Sequence, residues 1–310
     1  MKIGTGMKIG TNIMKGLLRA LSALPLGFHY ACAGVFSWLM KDVLGYRKDV
    51  VMTNLARSFP EKKYNELKDI SDDFYKHFGR IIAEGIWFGG CRNPERLKKQ
   101  RLVEYSNIEV FESAFSGSNG VMVLTSHFGN WELLGGCLGY DYRPDGHLPD
   151  GLQADDIIFV YKRLKSRMWD EIIGENRCAP VLYLDYKGYV STDKVIRHVL
   201  ERKDRKLVVN MLSDQCPYRT SKSEDTVEFL HQETRTMLGG ATLACKAGWA
   251  VLYMSLFPTA KGHYEWRFTE ICRDASQMSP HGIMQEYYRL LQADVEAKPW
   301  CYLWTHKRWK

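Results

Sequence analysis

Two residue types that cooperate in proton transfer stand five apart in the stretch 120–139, GVMVLTSHFGNWELLGGCLG: His127, just past an apolar run that ends at Ser126, and Glu132. A carboxylate bonded to one ring nitrogen of an imidazole fixes its tautomer and stabilises its imidazolium, which leaves the other nitrogen as a general base. Such a base suits removal of a hydroxyl proton while the oxygen attacks a carbonyl carbon. The spacing limits where the pair can sit. Inside one α-helix, five steps of about 100° would set the side chains roughly 140° apart, unable to touch. His127 is therefore expected on a turn after a buried strand at 121–125, and Glu132 on the first helical turns beyond it. Taken alone, the spacing is weak and fits better a hydrogen-bonded core histidine and a helix-start acid favoured by the dipole.

The elements that must carry this turn show a change of period at Gly120. Apolar runs at 121–125, 157–161, 180–184, 207–212 and 250–256 alternate with helical segments near 130–139, 163–176, 191–203 and 236–247. That is the βαβ rhythm of an α/β fold with a mixed, mostly parallel sheet flanked by helices. Such sheets place ligands beyond the carboxyl ends of their strands, and both His127 and the pair Asp214-Gln215, which follows LVVNML, fall at such ends. Ser191-Thr192-Asp193 reads as a helix start, 250–256 and 263–269 as a hairpin around Lys261-Gly262, and 281–297 as a last helix. Upstream, Tyr64, Leu67, Ile70, Phe74, Phe78, Ile81 and Ile82 recur at three and four residues, which predicts one helix over 61–88 with a single buried stripe. The interval 141–156 is rich in Pro, Gly and Asp and reads as a surface loop.

At the N-terminus no Asp, Glu, Lys or Arg occurs from Ala20 to Met40, a length that would reach roughly 30 Å as a helix, about the hydrocarbon thickness of a bilayer. Pro25, Gly27, His29 and Gly34 interrupt it, so a spanning helix and an in-plane one both remain open. Ala31-Cys32-Ala33 imitates a signal-peptidase site, but the apolar run continues past it, favouring a retained anchor. The expected organisation is a membrane-associated helix over 1–45, then a domain over 46–310 with a helical layer at 46–118 and an α/β core at 119–310.

Composition narrows the partners. A formal charge of +7 suits an acidic protein, a phosphorylated ligand or an anionic membrane surface. The eight cysteines show neither C-x-x-C pairs nor histidine clusters at ligand spacing, so no metal site or disulfide framework is expected. No basic stretch is interleaved with aromatics as RNA binding would need, so nucleic acid is not an expected partner.

The stretch LTSHFGNWELLGG resembles the His-plus-acid motif of the lysophospholipid and lipid A acyltransferase superfamily, specifically its late lauroyl/myristoyl lipid A branch. NLARSFPE at 54–61, VYKRLKS at 160–166, SDQ at 213–215, FLHQETRTMLGGATLACKAGWAVLY at 229–253 and the closing PWCYLWTHKRWK resemble further blocks of that branch, in the same order, so the likeness spans about 15–310. The resemblance implies a glycerolipid acyltransferase-like fold and transfer of a fatty acyl group from an acyl carrier protein thioester to a hydroxyl of a lipid A precursor. It implies an inner-membrane protein whose catalytic domain faces the cytoplasm, with no cofactor and no metal. His127 would be the base and Glu132 its orienting carboxylate. Asn130 would shape the turn, and Lys162, Arg163, Arg177, Asp214 and Gln215 would contact substrate, with Thr236 near the cleft. The family usually carries Arg where Lys162 stands, which keeps the charge and loses the bidentate fork. Basic groups at 162–167, at 202–206 and at Lys307, Arg308 and Lys310 would draw an acidic carrier and a phosphorylated glycolipid. Two other readings stay open: an acyltransferase for another membrane lipid, and a non-catalytic lipid-binding protein.

Overall fold

A computed structural model describes residues 5–92, 94–137, 148–217 and 225–309. Its helices are α1 (Thr5–Ser22), α2 (Leu26–Trp38), α3 (Lys48–Ser58), α4 (Tyr64–Phe88), α5 (Pro94–Gln100), α6 (Ile108–Gly117), α7 (Arg167–Arg177), α8 (Val195–Leu200), α9 (Gly239–Ala247) and α10 (Pro280–Ala297). Its strands are β1 (Val103–Tyr105), β2 (Gly120–Thr125), β3 (Ile157–Tyr161), β4 (Tyr189–Ser191), β5 (Leu207–Leu212), β6 (Thr226–Phe229), β7 (Gln232–Arg235), β8 (Ala250–Ala260) and β9 (His263–Cys272).

Seven strands form one sheet in the order β1-β9-β8-β2-β5-β3-β4. β8, β2, β5, β3 and β4 run parallel, β9 returns antiparallel along β8, and β1 pairs parallel with β9. Every residue of β2 is buried, as expected for a central parallel strand covered on both faces. Met122 and Leu124 pack on the side of α9 and α10, while Val121 and Val123 pack on the side of α6. Each such side chain contributes about 1.5–3 kcal/mol by leaving water.

The expected strands at 121–125, 157–161, 207–212, 250–256 and 263–269 are all present, as are helices within 61–88, 163–176, 191–203, 236–247 and 281–297. Two assignments are corrected. The run 180–184 forms a 3₁₀ turn, Ala179–Leu184, because Pro180 has no N–H to give a sheet and suits the first turn of a helix; the edge strand is β4 instead. The helix expected at 130–139 is a short 3₁₀ segment, Trp131–Gly136. Residues 138 and 139 lie outside the described residues, as does 141–147 of the loop at 141–156. The β6–β7 hairpin had no counterpart among the expected elements.

The N-terminal apolar region is not one straight helix. No single helix among the described residues is long and apolar enough to cross a membrane; Ile9–Ser22 and Leu26–Val43 form a pair bent by 112°. Arg96 fastens the bend by donating to Ser22 O and Leu24 O at 2.8 and 2.9 Å. The buried face of α2 is Leu26, His29, Ala33 and Ser37, whereas Phe28, Val35 and Trp38 are 48, 62 and 57 % exposed. Apart from Leu26, small and polar side chains face inward and bulky apolar ones outward, the reverse of a helix in water. The inward face sits on α4 so closely that a Cβ at Gly79 would lie 2.6 Å from Ala33 O.

Candidate active site

The turn after β2 is shaped by its backbone. Gly129 has φ +70°, and a Cβ there would stand 1.9 Å from Leu256 O, so only glycine fits. Asn130 caps the 3₁₀ segment: its Oδ1 accepts the Glu132 N–H at 3.1 Å. α4 lies over the same turn. His77 donates from Nε2 to Gly129 O at 3.0 Å, and Glu84, seven residues and two helical turns further on, accepts from Asn130 Nδ2 at 2.7 Å.

The partner of His127 comes from another strand. Thr125 and Leu212 are register partners at the ends of β2 and β5, and Ser213 N donates to Thr125 O at 2.9 Å. His127 and Asp214 each lie two residues past that pair, and Nδ1 meets Asp214 Oδ1 at 2.8 Å. A carboxylate only accepts, so Nδ1 carries the proton and Nε2 keeps its lone pair. Gln215 Nε2 donates to that lone pair at 3.1 Å, and the indole of Trp131 stands edge-on to the imidazole with centroids 5.1 Å apart. The His127 side chain is 16 % exposed and that of Asp214 2 %, so the imidazole reaches the surface while its orienting group does not.

Burial alone would raise the Asp214 carboxyl. It is held below the usual range by its interaction and hydrogen bond with His127. The Tyr302 hydroxyl also bonds to Asp214. Arg308, only 4 % exposed, donates to Tyr288 Oη at 2.7 Å and adds a buried positive charge nearby. His306 is pushed down to about 4, chiefly by burial, and is neutral at pH 7.

Glu132 does not contact His127 as expected. Both its oxygens are taken by Arg177, Nε to Oε2 at 2.7 Å and Nη2 to Oε1 at 2.6 Å, and Trp131 Nε1 donates to Oε1 at 3.1 Å. The guanidinium fork matches a carboxylate in geometry, which explains why Glu132 turns away from the imidazole. Burial would raise the Glu132 carboxyl, but the Arg177 charge and hydrogen bonds, and then the charge of His127, hold it low. It therefore acts on the imidazole through its field, and the hydrogen-bonded carboxylate is Asp214.

Arg177 in turn donates to Tyr189 Oη at 3.1 Å, and Tyr161 stacks on the Tyr189 ring at 4.1 Å. Lys162 and Arg163 are exposed just past the carboxyl end of β3; Arg163 faces Asp193 at 3.6 Å and neither bonds the dyad. Thr236 is buried and bonds to Asp225 O. Within the second basic group, Arg205 pairs with Asp156 at 2.6 Å and Lys206 donates to Phe115 O at 2.7 Å, so both brace the fold. Of the third, Arg308 is buried rather than a surface cation, and Lys310 lies outside the described residues.

Sequence reasoning did not single out His77, Glu84 or His306. The first two carried a signal, polar residues seven apart beside the apolar stripe of α4, whereas His306, inside the closing block PWCYLWTHKRWK, gave no local sign of its place near Asp214. Among the described residues no three His, Cys, Asp or Glu side chains are placed to share a metal ion. On the α6 side of the sheet, Val123, Phe159, Val208, Met254 and Trp266 help to line a small apolar pocket, partly open to solvent. Cys137, which follows the 3₁₀ segment carrying Glu132, also lines it.

A mostly parallel sheet whose carboxyl edge carries an imidazole bonded to a buried aspartate defines an α/β protein with its candidate site where such sheets place ligands. Residues 7–310 match the family model described as bacterial lipid A biosynthesis acyltransferase, and the chain belongs to that family. No curated protein matches the chain.

Proposed function

We propose that the protein transfers a fatty acyl group from an acyl carrier protein thioester to a hydroxyl of a lipid A precursor, as expected for the late branch of the family, with His127 as general base. The observation that carries this is the His127–Asp214 pair, in which a buried carboxylate accepts from Nδ1 while the partly exposed imidazole keeps its Nε2 lone pair. Nε2 takes the acceptor's hydroxyl proton as its oxygen bonds to the thioester carbon. The carbon–sulfur bond then breaks, and the imidazolium returns the proton to the departing thiolate. Asp214 stabilises the imidazolium by its hydrogen bond and Glu132 by its field. The thioester is already activated, so no covalent enzyme intermediate is needed.

Gln215, bonded to Nε2 in the resting site, gives way to the acceptor hydroxyl and remains beside it as a donor. Asn130 and Arg177 act by holding the turn and Glu132. Lys162 and Arg163, exposed on the same edge of the sheet, meet the anionic groups of carrier or acceptor. The outward apolar face of α1 and α2 lies in the cytoplasmic leaflet of the inner membrane and keeps the base near its lipid acceptor.

The test is acyl transfer by purified protein from acyl carrier protein to a lipid A precursor. His127→Ala should lower kcat by about 10²–10⁴. Near-normal activity in that variant would sink the assigned base, and acylation of a lysophospholipid in place of the lipid A precursor would reassign the acceptor.

A further inference from the structure

Glu84 takes no part in the chemistry proposed above, yet three side chains from separate parts of the fold donate to it. Tyr30 Oη on α2 reaches Oε1 at 2.8 Å, while Asn130 Nδ2 on the catalytic turn and Tyr264 Oη on β9 reach Oε2 at 2.7 and 2.8 Å. Glu84 and Asn130 are both 0 % exposed. All three donors are neutral, and together they engage both oxygens of a carboxyl that has no contact with solvent. Burial pushes this carboxyl up, against the pull of its donors and of the Arg80 charge.

That acceptor-only character decides which way the Asn130 amide points. With Nδ2 committed to Glu84, Oδ1 is left to accept the Glu132 N–H, which starts the 3₁₀ segment and places Trp131 and Glu132 beside the imidazole. The other oxygen of Glu84 is held from the opposite direction. The Tyr30 hydroxyl is confined there by the β8–β9 turn, since a Cβ on Gly262 would lie 2.0 Å from it, and Lys261 Nζ stands 5.2 Å from its ring centre. Tyr30 belongs to α2, whose far side is the exposed apolar face of Phe28, Val35 and Trp38.

We infer that Glu84 is a positioning residue that couples the seating of α2 on the domain to the geometry of the His127–Glu132 turn. A single buried carboxylate reads the apolar helix with one oxygen and sets the cap of the catalytic segment with the other. Displacement of α2 withdraws the Tyr30 hydroxyl, strands Oε1 without a donor and loosens the hold on Asn130. The site is thus complete only while α2 is seated, which for a protein whose outward helix face is apolar means while that face is covered. The inference rests on His127 being the base.

The experiment uses the full chain and two readouts: kcat and KM for acyl transfer, and amide hydrogen exchange of peptides covering 126–134 without substrate. Glu84→Gln should lower kcat about tenfold or more with both KM values within about twofold, and speed exchange at 130–134. Tyr30→Phe should speed exchange in the same peptides although Tyr30 does not contact them. The double variant Glu84→Gln/Asn130→Asp should restore protection and much of kcat, because the amide introduced at 84 donates to the carboxylate introduced at 130, whose second oxygen still accepts the Glu132 N–H. Unchanged exchange in Glu84→Gln, or a double variant no better than the single, overturns the positioning role. Unchanged exchange in Tyr30→Phe overturns the coupling to α2. A fully active His127→Ala would sink the assigned base and leave the exchange results standing, so the two failures are distinguishable.

Discussion

His127 and Asp214 are 87 residues apart in the chain and 2.8 Å apart in the fold, each two positions beyond the register pair Thr125–Leu212. Parallel pairing of β2 with β5 is what brings them together. The aspartate fixes the proton on Nδ1, so its replacement by an amide is predicted to be costly out of proportion to the change in shape. Asp214→Asn leaves an amide that donates to Nδ1 and drives the proton to Nε2, the nitrogen that accepts the hydroxyl proton in the proposed reaction. A fall in kcat of roughly 10²–10⁴ is expected, with the thermal midpoint close to wild type. Retention of most activity would show that tautomer control is not the role of Asp214.

The bidentate Arg177–Glu132 pair makes a different prediction. Arg177→Lys keeps the charge but cannot supply Nε and Nη2 together, so Glu132 loses one of its two bonds from this side chain and Tyr189 loses its donor. A loss of about 1–3 kcal/mol in urea unfolding is expected. A double-mutant cycle with Glu132→Gln should return a coupling energy well above zero, whereas additive effects would refute the pairing.

Acid sensitivity should carry the mark of His77. Burial lowers its pKa to about 3, against 6.5 in the unfolded chain. Above pH 6.5 the group is neutral in both states and pH has no leverage. Below that the unfolded chain takes up a proton that the native state refuses, so stability falls between pH 6.5 and about 3, by up to about 1.4 kcal/mol per unit. His77→Gln retains a donor for Gly129 O and does not titrate. Unfolding free energies at pH 7, 6 and 5 should therefore converge in the variant relative to wild type, and equal slopes would exclude His77 as the source.

The outward face of α2 is predicted to be the membrane contact. Val35 and Trp38 are 62 and 57 % exposed, so charge at either position has little to disturb within the domain. Val35→Asp/Trp38→Asp should reduce co-sedimentation with anionic vesicles about tenfold or more while leaving the urea midpoint unchanged. Binding equal to wild type would move the membrane contact elsewhere.

Much of the fold was legible because its cues are local. The strands at 157–161 and 207–212 follow from short continuous apolar runs, as strands buried on both faces require, and the stripe of α4 from its 3.6-residue period. His127 was legible too, since a polar residue directly after a buried strand of an α/β chain falls at the ligand edge. The bend between α1 and α2 was harder to place: Pro25 marks it, but its angle depends on Arg96 reaching back to Ser22 and Leu24.

The sequence by itself determined that an imidazole stands on the turn after β2, that Asp214 follows another strand at the same edge of the sheet, and that an apolar N-terminal region precedes an α/β domain. Only the tertiary structure decided which carboxylate bonds it. Glu132 is near in the chain, but its oxygens satisfy the Arg177 fork; Asp214 is distant in the chain, but strand register delivers it to Nδ1. Sequence spacing measures separation along the backbone, whereas a hydrogen bond depends on direction and on competing partners, and those are settled by the packing of β5, α4 and α7 around the turn.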